Sequence, residues 1–287
     1  MRMASRIIDT HLHLIYQDRL RYPWLADVPK LNRDFPLSEY LTEADHLGIE
    51  RALHMEVDVA AEDQEAETAF VAGIGAPVIA AIASCRPENA DFPASLERIA
   101  ATPFVRGLRR ILHTSPDELG QAPLFAENLR RLAQHRLTFD LCVLARQLPI
   151  AIALVRACPD VRFILDHCGV PDVAAQAVDP WRDDITRLAA LPNVACKISG
   201  IVAYAAADWT TADLRPYVEH CIEAFGWDRV VWGSDWPVCT LTADLTRWVR
   251  ATHELTAGCS DDERERLLSL NAQRIYRLDA PASVGAS

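Results

Sequence analysis

Apolar and β-branched residues gather in eight short runs along the chain: RIIDTHLHL, RALHMEVDV, PVIAAIASC, FVRGLRRIL, LTFDLCVL, VRFILDHCG, NVACKISG and RVVWGSDWPV. The runs start about 25 to 45 residues apart, roughly the size of a βα unit. They are apolar almost throughout rather than at alternate positions. That suits strands covered on both faces, and hence a parallel sheet.

The stretches between them carry helical spacing. PLSEYLTEADHLG reads as a helix opened by a Ser38 cap and closed at Gly48, and AEDQEAETAFVAGIG has acids in its first turns. PLFAENLRRLAQHR, LPIAIALVRACP, WRDDITRLAALP and LRPYVEHCIEAFG repeat apolar residues three and four apart. SDDERERLLSLNAQRIYRL begins with a Ser260 cap and acids, then turns basic. Eight strands, each followed by a helix, predict an α/β fold of the (β/α)8 TIM-barrel type. Neither GxGxxG nor a P-loop follows the first strand, which counts against an open doubly wound sheet.

The length of 287 residues fits one such barrel, and no linker or low-complexity stretch divides it. A single domain over residues 1–287 is expected, ending in a short disordered tail from about residue 278, LDAPASVGAS. The formal net charge of -11 argues against nucleic acid or an anionic membrane as partner, because both need a basic face. It leaves room for a small anionic substrate held by local arginines. The eight cysteines form no CxxC pair and sit in apolar runs, as buried reduced thiols would in a cytoplasmic protein. No signal peptide precedes the first strand, and no window reaches the ~18 apolar residues of a membrane helix. Oligomeric state is not legible, because apolar helix positions cover either the barrel or a partner.

In a barrel of this kind reactive groups stand where the strands end. The polar residues there are His11 and His13 on the first run, His54 and Glu56 on the second, and Arg109, Arg110 and His113 on the fourth. Asp140 lies on the fifth, His167 on the sixth, Lys197 and Ser199 on the seventh and Asp235 on the eighth. His11 and His13 are two apart and so share one side of a strand. With His167 and Asp235 they supply three nitrogens and a carboxylate, a sensible set for one divalent ion, zinc or manganese. Glu56 has the parity of His54 and either joins that set or pairs with an arginine. Asp9 orients a histidine or stabilises a turn.

DTHLHL, LDHCGVPD, CKISG and VVWGSDWPV resemble the amidohydrolase superfamily, and more narrowly its lactonase-like branch of TIM-barrel hydrolases. YPWL and VRGLRRIL match that branch as well, and the resemblance runs from about residue 6 to residue 275. The branch includes fuconolactonase, rhamnonolactonase, pyrone-dicarboxylate lactonase and sulfomuconolactone hydrolase. The resemblance implies a lactonase in which His11 and His13 occupy the HxH position and His167 the strand-six histidine. It makes Asp235 the general base that activates water. One departure stands out: metal-binding members often carry a histidine or modified lysine at the end of strand five, where TFDLCV offers Asp140. Some members of the branch work without a divalent metal. The histidines therefore either hold an ion or hydrogen-bond the carbonyl and the water.

The substrate implied is a small lactone, either a sugar aldonolactone or a carboxylated or sulfonated muconolactone. Arg109 or Arg110 would bind it, and alternation lets only one of the two face the pocket. His113 belongs to the pocket or to a loop. Trp24, Tyr204 and Trp236, with Tyr22, offer flat rings in or beside the βα loops. Lys197 reads as a supporting charge. A metal-dependent decarboxylase or C–N hydrolase of the same superfamily is the alternative, and a strand-five histidine would favour the decarboxylase. A non-catalytic ligand-binding barrel would have lost Asp235 or a member of HxH, and all are present.

Overall fold

The structure is a computed structural model that describes residues 6–278. The tail expected at the C-terminus lies, from residue 279 onward, outside the described residues. Eight strands form one sheet in sequential order: β1 (Ile7–Leu12), β2 (Ile49–Met55), β3 (Val78–Ser84), β4 (Val105–Ile111), β5 (Thr138–Cys142), β6 (Arg162–Leu165), β7 (Val194–Ile198) and β8 (Val230–Trp232). Every neighbouring pair is parallel. The segment after β8 returns to β1. The Asp235 amide donates to the His11 carbonyl at 2.9 Å and the His13 amide to the Trp236 carbonyl at 2.8 Å, so the sheet closes as a barrel.

Alternation sends one set of side chains inward and the other toward the helices. Ile8, Leu53, Met55, Ala80, Ile82, Ile164, Ala195 and Val231 form an interior cluster, which the last helix, Asn271–Tyr276, joins through Ala272, Ile275 and Tyr276. On β5 and β6 the outward set includes Phe139 and Phe163, whose rings lie 5.9 Å apart, and Phe125 of a covering helix meets Phe139 edge-on at 6.2 Å. Cys168, Cys196 and Cys221 bring their sulfurs within 4.8 Å of one another, all buried, and all eight thiols of the chain are free. Among the described residues no helix is long and apolar enough to cross a membrane.

Each of the eight runs read from the sequence holds one of these strands, although β2 starts earlier, at Ile49. Ser260 caps its helix as expected, its hydroxyl accepting from the Glu263 amide. Ser38 does not cap. The helix Leu37–Ala44 begins directly behind Pro36, whose fixed φ and missing N–H suit a helix start, so Ser38 lies in the first turn. The helices Phe92–Ala100 and Leu245–Leu255 complete the outer layer.

Candidate active site

The first strand breaks its own alternation to build the site. Its pairing register shifts between Asp9 and Leu12, and Ile8 and His11, three apart, both point inside the barrel. Asp9 holds the irregular segment. Its Oδ1 accepts from the backbone amides of His11 at 3.0 Å and Ser234 at 2.8 Å, and its Oδ2 accepts from the Tyr40 hydroxyl at 2.8 Å. One carboxylate thereby fastens β1, the loop after β8 and a covering helix. His11 and His13 then meet, Nε2 to Nε2, at 3.2 Å.

The hydrogen-bond partners set the tautomers. Lys197 Nζ lies 3.2 Å from His11 Nδ1, and an ammonium only donates, so this nitrogen accepts and His11 Nε2 carries the proton toward His13. His13 Nδ1 faces the Met55 carbonyl at 3.0 Å and donates to it, which leaves His13 Nε2 with a free lone pair. Burial, and then Lys197, hold the His11 imidazole well below its ordinary pKa, so it is neutral at neutral pH. Burial lowers His167 in the same way. Deeper inside, Lys197 Nζ is 2.6 Å from Asp140 Oδ2 and 2.9 Å from Asp166 Oδ1.

His167 and Asp235 stand on left-handed backbone, at φ 53° and 57°, where a residue other than glycine is strained. His167 is followed by Cys168, Gly169 and Val170 at φ 54°, 71° and 48°, so β6 ends in a tight left-handed coil that aims the imidazole at the barrel mouth. His167 Nδ1 lies 3.0 Å from Ser199 Oγ and 4.0 Å from Asp235 Oδ2. Gly200 makes this approach possible. A Cβ there would sit 2.1 Å from His167 Nδ1 and 2.9 Å from Asp235 Oδ2.

The ligand atoms fit a divalent ion. His11 Nε2, His13 Nε2 and Asp235 Oδ1 form a triangle with sides of 3.2, 3.6 and 3.4 Å. A tetrahedral zinc with bonds of about 2.0–2.1 Å has ligand-to-ligand edges of roughly 3.3–3.4 Å. His167 joins His11 and Asp235 in a second grouping, with ligand atoms within 4.8 Å of one another. For His11 to bind through Nε2 its proton must shift to Nδ1, where Asp166 Oδ1 stands 3.5 Å away as acceptor.

Other residues expected at the site divide. Arg109 points inward and lines the cavity, and its Nε donates to Glu56 Oε1 at 2.6 Å. Glu56 also accepts from the Asp58 amide at 2.9 Å and does not join the converging ligand atoms; of its two readings, the arginine partner is the one observed. Arg110 faces the other way, with Nε 2.8 Å from Glu88 Oε1, as alternation next to Arg109 requires. His54 also lies on the outward face, between the interior residues Leu53 and Met55, and its buried Nε2 has no partner. Trp236 does not line the cavity either. Its ring turns away from Asp235 and meets Phe35 and Tyr40, each at 5.4 Å. Tyr22 accepts from the Tyr16 amide, also outside this cavity.

Trp24, His113 and Tyr204 do line it, together with His13, His167 and Asp235, in a cavity of about 170 Å³ at the strand C-termini. Trp24 Nε1 donates to the Val57 carbonyl at 2.8 Å, and His113 Nδ1 lies 2.9 Å from Cys142 Sγ. Burial, then Arg109, push the His113 pKa down to about 4. Sequence reasoning passed over Asp58, Cys142, Asp166 and Gly200. Asp166 and Gly200 stood in the quoted motifs LDHCG and CKISG, and a check of every polar residue and glycine at a strand end finds both.

A barrel whose mouth gathers two histidines of the first strand, one of the sixth and an aspartate after the eighth is a hydrolase scaffold equipped for a divalent ion. The profile of the amidohydrolase family matches residues 8–278, and the chain belongs to that family. The L-fucono-1,5-lactonase of Burkholderia multivorans (strain ATCC 17616 / 249) is 33% identical to it, over 98% of this chain and 99% of that protein. The 4-sulfomuconolactone hydrolase of Rhizobium radiobacter is 26% identical over 80% of this chain and 75% of its own. A crystal structure of an amidohydrolase from Burkholderia multivorans with bound zinc superimposes with a TM-score of 0.86 at 27% identity, covering 95% of this chain and 99% of that one.

Proposed function

We propose that this chain hydrolyses a lactone, with Asp235 as general base. The observation that carries the reading is the juxtaposition of Asp235 with His11, His13 and His167 at a cavity of about 170 Å³. The lactonases among its relatives support the same reaction class. Asp235 takes a proton from water, the hydroxide attacks the lactone carbonyl, and the ring C–O bond breaks. The proton held by Asp235 passes to the departing ring oxygen, which leaves an open hydroxy acid. His13 and His167 hold the water and the carbonyl in line, and Trp24 and Tyr204 close the cavity around the ring. A divalent ion held by His11, His13, His167 and Asp235 would supply Lewis-acid polarisation and lower the pKa of the attacking water.

The alternative, a metal-dependent decarboxylation or C–N hydrolysis, gains no support at strand five, where Asp140 is turned inward onto Lys197. The eight free thiols suit a reducing compartment such as the cytoplasm. A pH-indicator screen of sugar lactones and carboxylated or sulfonated muconolactones tests the reading. Lactone turnover is expected to fall about 10²- to 10⁴-fold in Asp235→Asn, with folding retained. Near-normal turnover by that variant removes the general-base role. Failure on every lactone, with turnover of a carboxylated aromatic, moves the chain to the decarboxylases.

A further inference from the structure

We propose that Asp58 selects uncharged, polyhydroxylated lactones and turns away carboxylated or sulfonated ones; the proposal rests on the lactone reading above. It starts from what the cavity offers an anion. Among the described residues lining it, Arg109 is the one arginine or lysine. Its guanidinium is already engaged. Nε and Nη2 donate to the Glu56 carboxylate and carbonyl, each at 2.6 Å, while Nη1 lies 3.6 Å from Asp166 Oδ2. A carboxylate or sulfonate on the substrate would want a free guanidinium fork, and this one is matched by Glu56 and turned into the barrel.

Asp58 presents the opposite charge to the same space. It lines the cavity with its side chain 36% exposed. Its position is set by the backbone, with one long ion pair to Arg86. The residue sits at φ 47°, left-handed for a non-glycine, with its amide tied to Glu56 Oε2 at 2.9 Å. Arg86 Nη2 stands 3.8 Å from its carboxylate, at the outer limit of an ion pair, while Arg86 Nη1 donates to Ser84 Oγ and the Cys85 carbonyl. Asp58 therefore adds a carboxylate beside a guanidinium that Glu56 already compensates.

That arrangement repels an anionic substituent and accepts hydrogen bonds from neighbouring hydroxyls. Trp24, also on the wall, adds a flat apolar face held in place by its bond to Val57. An aromatic face beside an acceptor-only carboxylate matches a saturated ring that carries C–H bonds on its face and hydroxyls on its rim.

The test compares kcat/KM of the wild type, Asp58→Asn and Asp58→Ser on two series, neutral aldonolactones and carboxylated or sulfonated muconolactones. The wild type is expected to favour the neutral series. Asp58→Asn is expected to lose about 10- to 100-fold on that series, mainly through KM, the size of a lost hydrogen bond to a charged acceptor. It should lose nothing, or gain, on the anionic series. Asp58→Ser should shift the ratio the same way, and thermal melts of both variants check folding. Lactone turnover with a wild-type preference for the anionic series, or a ratio unchanged in both folded variants, overturns the role of Asp58 alone. No turnover of any lactone by the wild type overturns the lactone reading and this proposal with it.

Discussion

Lys197 Nζ stands 2.6 Å from Asp140 Oδ2, and both side chains are fully buried inside the barrel. Burial opposes the ammonium, yet Asp140 and then Asp166 raise its pKa above the ordinary value. Burial likewise disfavours a charged Asp166, but Lys197 holds that carboxyl well below the usual range. Asp140 is pushed up to about 6 by burial, against the pull of Lys197. The inward acid of strand five is thus held in an internal ion pair.

Removing the ammonium leaves two buried carboxylates without their shared partner. Lys197→Met is expected to destabilise the fold by about 3–5 kcal/mol, the usual range for breaking a buried pair. Urea unfolding followed by circular dichroism reads this. A loss below about 1 kcal/mol would mean that the carboxylates take up protons at little expense.

Zinc binding should appear as a stability gain. An ion that binds only the folded chain adds about 2.7 kcal/mol at a hundred times its dissociation constant. The melting temperature of metal-stripped protein should therefore rise with added zinc, and metal analysis should find about one ion per chain. The rise should vanish in His11→Asn. If that variant responds like the wild type, the ion sits elsewhere, and the three thiols Cys168, Cys196 and Cys221 are the next grouping to test.

Acid should unfold the protein through its buried imidazoles. Burial pushes His54 down to about 3, and His113 lies at about 4. In the unfolded chain both return to about 6.5. Below that pH the unfolded state binds protons that the folded state resists, so stability falls as pH drops from about 6.5 toward 3–4. Each group contributes up to about 1.4 kcal/mol per pH unit over its window. His54→Leu should flatten the slope of unfolding free energy against pH by one such increment. An unchanged slope would show that His54 takes no part.

The barrel was legible because its strands are nearly continuous apolar runs, and because alternation along β4 correctly sends only one of Arg109 and Arg110 inward. Local pattern did not show where the backbone leaves the strand. The register shift in β1 lets Ile8 and His11 share the interior, and Trp236 turns away beside a left-handed Asp235. Neither event has a one-residue signature. The inner charge network was only half visible. Lys197 and Asp140 could each be marked as polar in an apolar run, but their pairing joins strands five and seven across the barrel, a distance that local pattern does not span.

Tyr276, in the last helix, donates its hydroxyl to Asp140 Oδ2 at 3.1 Å. From there the chain of contacts runs through Lys197 to His11 and the barrel mouth. During synthesis, the eight strands leave the ribosome before this tyrosine does. Until this helix docks, the strand-five carboxylate is one donor short, and the site's charge pattern is completed from the floor upward by a residue 136 positions further along the chain.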